Sequence, residues 1–160
     1  MQKNNTIGLF GTCGKSTWRK RFIDNYESRS INYFNPQVDN WKPEDAEIEA
    51  KHLATDSIIL FPVLGETYGL GSLAETGFSI SQAMKMDDRR YFVLLIDKQP
   101  EESLRSNLEL FKESCRSRAL VRAHLSKVSL PNVFFVDTLD QMLTVSLKLN
   151  KAVEILNSID

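Results

Sequence analysis

Tyr91-Phe92-Val93-Leu94-Leu95-Ile96 is a run of six apolar residues with no polar residue at alternate positions. A strand with one wet face alternates, so an unbroken run of this kind predicts a strand covered on both faces, as in a parallel sheet. Four shorter runs share that character: Ile7-Gly8-Leu9-Phe10, Ile31-Asn32-Tyr33-Phe34, Ser57-Ile58-Ile59-Leu60-Phe61 and Val133-Phe134-Phe135-Val136. Helical patterns over residues 17–27, 43–54, 72–86, about 101–126 and 139–156 lie after them. The last is marked by an apolar stripe through Leu139, Leu143, Leu147, Leu149, Val153 and Leu156. Strand and helix alternate five times. That order predicts one domain over residues 1–160, an α/β structure with a single doubly wound parallel five-stranded sheet of flavodoxin-like or Rossmann-like type. Ligands of such sheets bind beyond the carboxyl ends of the strands, which directs attention to the loops starting at Gly11, Asn35, Pro62 and Asp97.

The bulk composition narrows the function classes. Twenty Lys and Arg stand against 21 Asp and Glu in 160 residues, a formal charge of −1. Such a balance supplies no global field for a nucleic acid polymer or an anionic membrane, so any anion site must be local. Cys13 and Cys115 have neither disulfide-framework nor zinc spacing, which suits a reducing, cytoplasmic setting. The apolar residues before Gly11 are too few for a signal-peptide core or a membrane span. His52 and His124 lack metal-ligand spacing and read as ordinary surface or helix residues, so no metal is expected. Arg116, Arg118, Arg122 and Lys127 read as a basic band near a helix end, where the helix dipole favours cations. Glu44, Asp45, Glu47 and Glu49 surround a helix start and read as mostly solvated.

Gly11-Thr12-Cys13-Gly14-Lys15-Ser16-Thr17 follows a strand and opens a helix, the setting in which backbone N–H groups hold an anion. The phosphate loop of nucleotide triphosphatases needs a glycine five places before Gly14, but that position is Leu9. The spacing misses. Lys15 and Arg19 then either belong to a solvated basic face or meet a phosphate or sugar hydroxyl, and Trp18 is either a packing residue or a base platform.

Gly65-Glu66-Thr67-Tyr68-Gly69-Leu70-Gly71-Ser72-Leu73-Ala74-Glu75-Thr76-Gly77 delivers a carboxylate after a glycine-rich loop. Ser72-x-x-Glu75 matches a capping box, in which Glu75 returns to the Ser72 N–H. Three glycines in seven positions instead suggest close approach of the backbone to a ligand, and Gly77 suggests close helix-to-sheet contact.

Three groups of residues carry a resemblance: Phe10-Gly11-Thr12-Cys13 with Ser16-Thr17-Trp18-Arg19, Tyr33-Phe34-Asn35-Pro36 with Asp39 and Trp41, and Gly71-Ser72-Leu73-Ala74-Glu75. In this order, over residues 7–97, they resemble the nucleoside 2-deoxyribosyltransferase-like family, whose fold is the same sheet. The resemblance implies that Glu75 attacks C1′ of a 2′-deoxynucleoside, that the base leaves, and that another base or water captures the glycosyl ester. It implies Tyr68 or Ser72 as groups orienting Glu75, and a helix N-terminus that keeps Glu75 ionised. Gly11, Thr12, Ser16, Trp18, Arg19, Asn35, Pro36, Asp39, Trp41, Glu49, Gly69 and Gly71 would surround the substrate, with Asp39, Glu47 or Glu49 on the base side. Transferases of the family carry an aspartate where this chain has Gly69, and a tyrosine in the first strand where it has Leu9 and Phe10. Relatives that hydrolyse nucleoside 5′-monophosphates share the fold and the glutamate. The expected partner is therefore a small nucleoside or nucleotide, with no cofactor and with self-association into a homo-oligomer. A non-catalytic nucleotide-sensing module of the same fold is the alternative.

Overall fold

The computed structural model describes residues 5–40, 42–77, 80, 81, 85, 89–127 and 129–159. In chain order the elements are β1 (Ile7–Leu9), α1 (Trp18–Glu27), β2 (Tyr33–Phe34), α2 (Pro43–Thr55), β3 (Ile58–Val63), α3 (Leu70–Gly77), β4 (Tyr91–Ile96), a 3-10 turn (Glu102–Ser106), α4 (Leu108–Leu125), β5 (Val133–Val136) and α5 (Leu139–Asn157). The strands form one sheet in the order β2-β1-β3-β4-β5, with every pair parallel. This is the doubly wound arrangement expected from the apolar runs.

Alternate residues of each strand enter different cores. Ile7, Leu9, Ile58, Leu60, Val93 and Leu95 pack against Trp18, Phe22 and Tyr26 of α1 and Met142, Leu143, Leu149 and Val153 of α5. Ile59, Phe61, Val63, Phe92, Leu94 and Ile96 face Leu73 of α3, with Leu53 of α2 and Val121 and Leu125 of α4 packed around them. Both faces are therefore covered, which is why the strand sequences do not alternate.

The elements differ from expectation at several places. β3 runs through Pro62 to Val63 rather than stopping before the proline, and Pro62 pairs with Leu95. The proline nitrogen faces Gly11, beyond the end of β1 at Leu9, and its carbonyl still accepts the Thr12 N–H at 2.8 Å. α4 starts at Leu108 rather than near residue 101, because Asn107 caps it by accepting the Leu110 N–H at 3.1 Å. His52 is no ordinary surface residue: its ring stacks on Phe34 at 3.6 Å between centroids, and its Nδ1 lies 2.9 Å from the carboxyl group of buried Asp56.

Candidate functional site

β1 and β3 are neighbours, yet the chain leaves β1 for α1 on one face of the sheet and β3 for α3 on the other. The loops at their carboxyl ends diverge and frame the crevice in which doubly wound sheets take ligands. Gly11 opens the first loop at φ +86°, and a Cβ there would lie 2.3 Å from the Pro62 carbonyl oxygen, so only glycine fits. Thr12 welds the loop to the end of β3. Its N–H donates to the Pro62 carbonyl at 2.8 Å, its hydroxyl donates to the same oxygen at 3.1 Å, and that hydroxyl accepts the Leu64 N–H at 2.8 Å.

Arg19 completes the loop from within. It is only 2% exposed, and it donates through Nε to the Leu9 carbonyl at 2.8 Å, through Nη1 to Thr12 at 2.6 Å and through Nη2 to Gly11 at 3.4 Å. Desolvation pulls its pKa below the usual value, opposed by Cys13 and by the charge of Glu49. These contacts correct the expectation that Arg19 meets a phosphate or sugar, because its donors are already committed to carbonyl groups. Trp18 is likewise a packing residue. Its Nε1 donates to the Thr12 carbonyl at 3.0 Å and its ring meets Phe22 edge-on. Lys15 is exposed, and the Ser16 hydroxyl is buried with no hydrogen-bond partner among the described residues.

The second loop lies against the first. Asn35 accepts the Gln37 N–H at 3.1 Å, Pro36 is buried, and Gln37 reaches back to the Gly14 carbonyl at 2.8 Å. Asp39 is exposed and makes no hydrogen bond or ion pair among the described residues; Trp41 lies outside them. On α2, Glu47 is exposed, whereas Glu49 is half-buried and its charge reaches both Arg19 and Glu75. Of the base-side acids named from the sequence, Glu49 is thus the one electrostatically joined to Glu75.

The third loop is organised by Arg118, which the sequence placed in a basic band favoured by a helix end and which is fully buried. Its guanidinium donates to the carbonyls of Val63 (2.8 Å), Leu64 (2.9 Å), Thr67 (2.8 Å) and Asp97 (3.2 Å). The correction has a pattern behind it, since Phe111, Ser114, Arg118 and Val121 share one helical stripe and the first three are buried. Gly69 sits at φ +69° with a would-be Cβ 2.8 Å from Val63 Cγ1 and 3.0 Å from Arg118 Nη2. That crowding, with the positive φ, makes this position a glycine. Gly65 packs against the Gln99 backbone, while Gly71 and Gly77 have nothing among the described residues within 4 Å of a would-be Cβ. Two of the three loop glycines thus serve contacts within the protein, and no described residue supplies the close packing expected at Gly77.

α3 begins at Leu70, so Ser72 is its third residue and Glu75 its sixth. The capping box does not form. Glu75 also stands beyond the first turn, where the dipole acts, and its pKa is raised rather than held down, first by desolvation and then by Glu49. More than a third of the Glu75 residue surface remains open, so the desolvation is partial and the carboxylate stays accessible. Tyr68 does not orient it: the phenol donates to the Leu104 carbonyl at 2.8 Å. Ser72 makes no side-chain hydrogen bond among the described residues.

A separate cavity of about 540 Å³ lies between the loops after β3, β4 and β5. Several carboxylates line it, but Glu102 pairs with Arg105, Asp137 with Arg122 and Asp140 with Arg21. Among the described residues no cluster of His, Cys, Asp and Glu could hold a metal ion, and no helix is long and apolar enough to cross a membrane.

No family model matches the chain, and no curated protein matches it in sequence. Among solved structures it is similar to a chain in the crystal structure of the RPS4 and RRS1 TIR domain heterodimer, with a TM-score of 0.54 and 8% identity over 95% of this chain and 96% of that one. A lipase from a goat rumen metagenome, Lip_vut3, matches with a TM-score of 0.40 and 10% identity over 86% and 80%, too distant to carry an argument. The TIR likeness establishes a shared doubly wound α/β fold.

Proposed function

We propose that the chain cleaves or exchanges the N-glycosidic bond of a nucleoside or nucleotide, with Glu75 as nucleophile. The observation that carries the reading is a solvent-accessible glutamate beyond the carboxyl end of β3, with its pKa raised by partial desolvation and by Glu49. In the step, a Glu75 carboxylate oxygen bonds to C1′ as the C1′–N bond breaks, and the base leaves with a proton from an acid on its side, the role given to Glu49. Water or a second base then displaces the ester and regenerates Glu75. Chromatographic detection of free base from a panel of nucleosides and 5′-monophosphates tests this. Release by the native chain that Glu75→Gln abolishes, with the melting temperature retained, is the expected result; equal turnover by the variant would refute the assignment.

Gly69 favours a second reading, a nucleotide-binding module without turnover, since the family aspartate is replaced by a residue that the packing requires to be glycine. A ligand-induced rise in melting temperature without base release would select it. We further propose a cytoplasmic protein that self-associates through exposed apolar residues, Leu70 beside the glycine-rich loop with Ile48 and Val38; Phe78, the other apolar residue near that loop, lies outside the described residues. Light scattering from a monomer at working concentration would refute self-association.

A further inference from the structure

The root of the first loop and its tip are held in different ways. At the root, Thr12 and Arg19 make a buried set of bonds to β1 and β3. At the tip, Cys13, Gly14 and Lys15 are exposed, Gly14 is at φ +74°, and nothing lies within 4 Å of its would-be Cβ. The Gly14 carbonyl is nevertheless bonded, to the side-chain amide of Gln37, 23 residues away on the second loop.

The Gln37 amide faces two different chemistries. Its NH₂ donates to the Gly14 carbonyl at 2.8 Å, and its oxygen faces Arg19 Nη1 at 3.5 Å. A carboxylate would suit the guanidinium but repel the carbonyl, and an ammonium would do the reverse, so an amide of this length fits both ends. The backbone N–H of Gln37 is itself held by the Asn35 side chain, which fixes where the amide starts. Gln37 was not among the residues singled out from the sequence.

We propose that Gln37 is a positioning residue that latches the tip of the first loop, so that the N–H groups leading into α1 are preset for substrate. A preset loop lowers the ordering cost of binding and leaves the chemistry at Glu75 untouched. The effect belongs in KM rather than kcat. This kinetic consequence rests on the glycosidic reading above, whereas the latch itself does not.

Gln37→Met is the sharpest variant, since it keeps a similar length and removes the donor to Gly14, with the 3.5 Å acceptor for Arg19, without adding a charge. Backbone amide exchange is compared over residues 11–17 in the native chain and the variant, together with base-release kinetics. Faster exchange in that segment, and a KM raised about three- to tenfold at constant kcat, are expected from the loss of one hydrogen bond. The melting temperature should hold, because Gln37 is exposed. Unchanged exchange over residues 11–17 would overturn the latch whether or not the chain turns over substrate. A fall in kcat at constant KM would overturn the positioning role. Absence of base release from the native chain counts against the glycosidic reading alone, and the exchange measurement still decides the latch.

Discussion

Gly69 and Gly71 are two residues apart, and the structure assigns them opposite sensitivities to a single methyl group. At Gly69 the backbone φ of +69° costs an L-residue about 1–2 kcal/mol. The added Cβ would stand 2.8 Å from Val63 Cγ1 and 3.0 Å from Arg118 Nη2. Neither neighbour can retreat cheaply, because both are fully buried and Arg118 is tied to four carbonyl groups. Overpacking of this kind costs about 1–3 kcal/mol. The two contributions sum to about 2–5 kcal/mol, a large share of the roughly 5–15 kcal/mol that holds a domain together. At roughly 2–4 °C per kcal/mol for a chain of this size, Gly69→Ala should lower the melting temperature by roughly 4–20 °C. Gly71 is in the first turn of α3 with open space around it, so Gly71→Ala should be neutral or stabilising by up to about 1 kcal/mol. Urea denaturation of both variants beside the native chain measures the difference. A Gly69→Ala cost below about 1 kcal/mol, or an equal loss in the two variants, would refute the reasoning.

Three further outcomes are expected. Glu49→Gln removes the proposed acid, so turnover should fall, and it also removes the second cause of the raised Glu75 pKa while leaving desolvation, the larger one, so the acid limb of the residual base-release profile should move to lower pH. Because ionising Glu75 is disfavoured in the fold, its contribution to stability is greatest below the ordinary glutamate range and is lost as pH rises through the raised value; that loss should shrink in the variant. A pH profile that stays put or moves upward would contradict the coupling. Arg118→Met should cost at least about 3 kcal/mol in urea denaturation, since the carbonyls of Val63, Leu64, Thr67 and Asp97 each lose a charged donor. Lys15→Glu, without any change at Arg19, should weaken 5′-monophosphate use about tenfold or more and spare nucleoside use if the first loop receives a phosphate; equal effects on the two substrates would point to an unphosphorylated nucleoside.

Much of the architecture was legible in the chain because burial on both faces leaves a direct mark. Tyr91 to Ile96 can be unbroken and apolar only where helices cover both sides of the strand, and the same argument yields the other strands and the carboxyl-end loops. Glycine at position 11, where β1 ends, was likewise visible as a place where the backbone turns. What tertiary structure alone decided is where each polar side chain directs its hydrogen bonds. Arg19 and Arg118 are charged residues in helical segments, and the sequence left the first between a solvated face and a ligand and placed the second in a band favoured by the helix dipole. Both are buried, because the carboxyl ends of β1 and β3 and the loops that follow them turn carbonyl groups inward, where only a long side chain rich in N–H donors reaches several at once. Ser72-x-x-Glu75 has the spacing of a capping box, yet Gly69 and the Arg118 clamp allow α3 to start at Leu70 and turn that spacing into the helix interior. Tyr68 is drawn toward Leu104, and Gln37 toward Gly14, by partners 36 and 23 residues away. Local periodicity reports which face of an element is covered; it holds no record of contacts between loops that only the assembled sheet brings side by side.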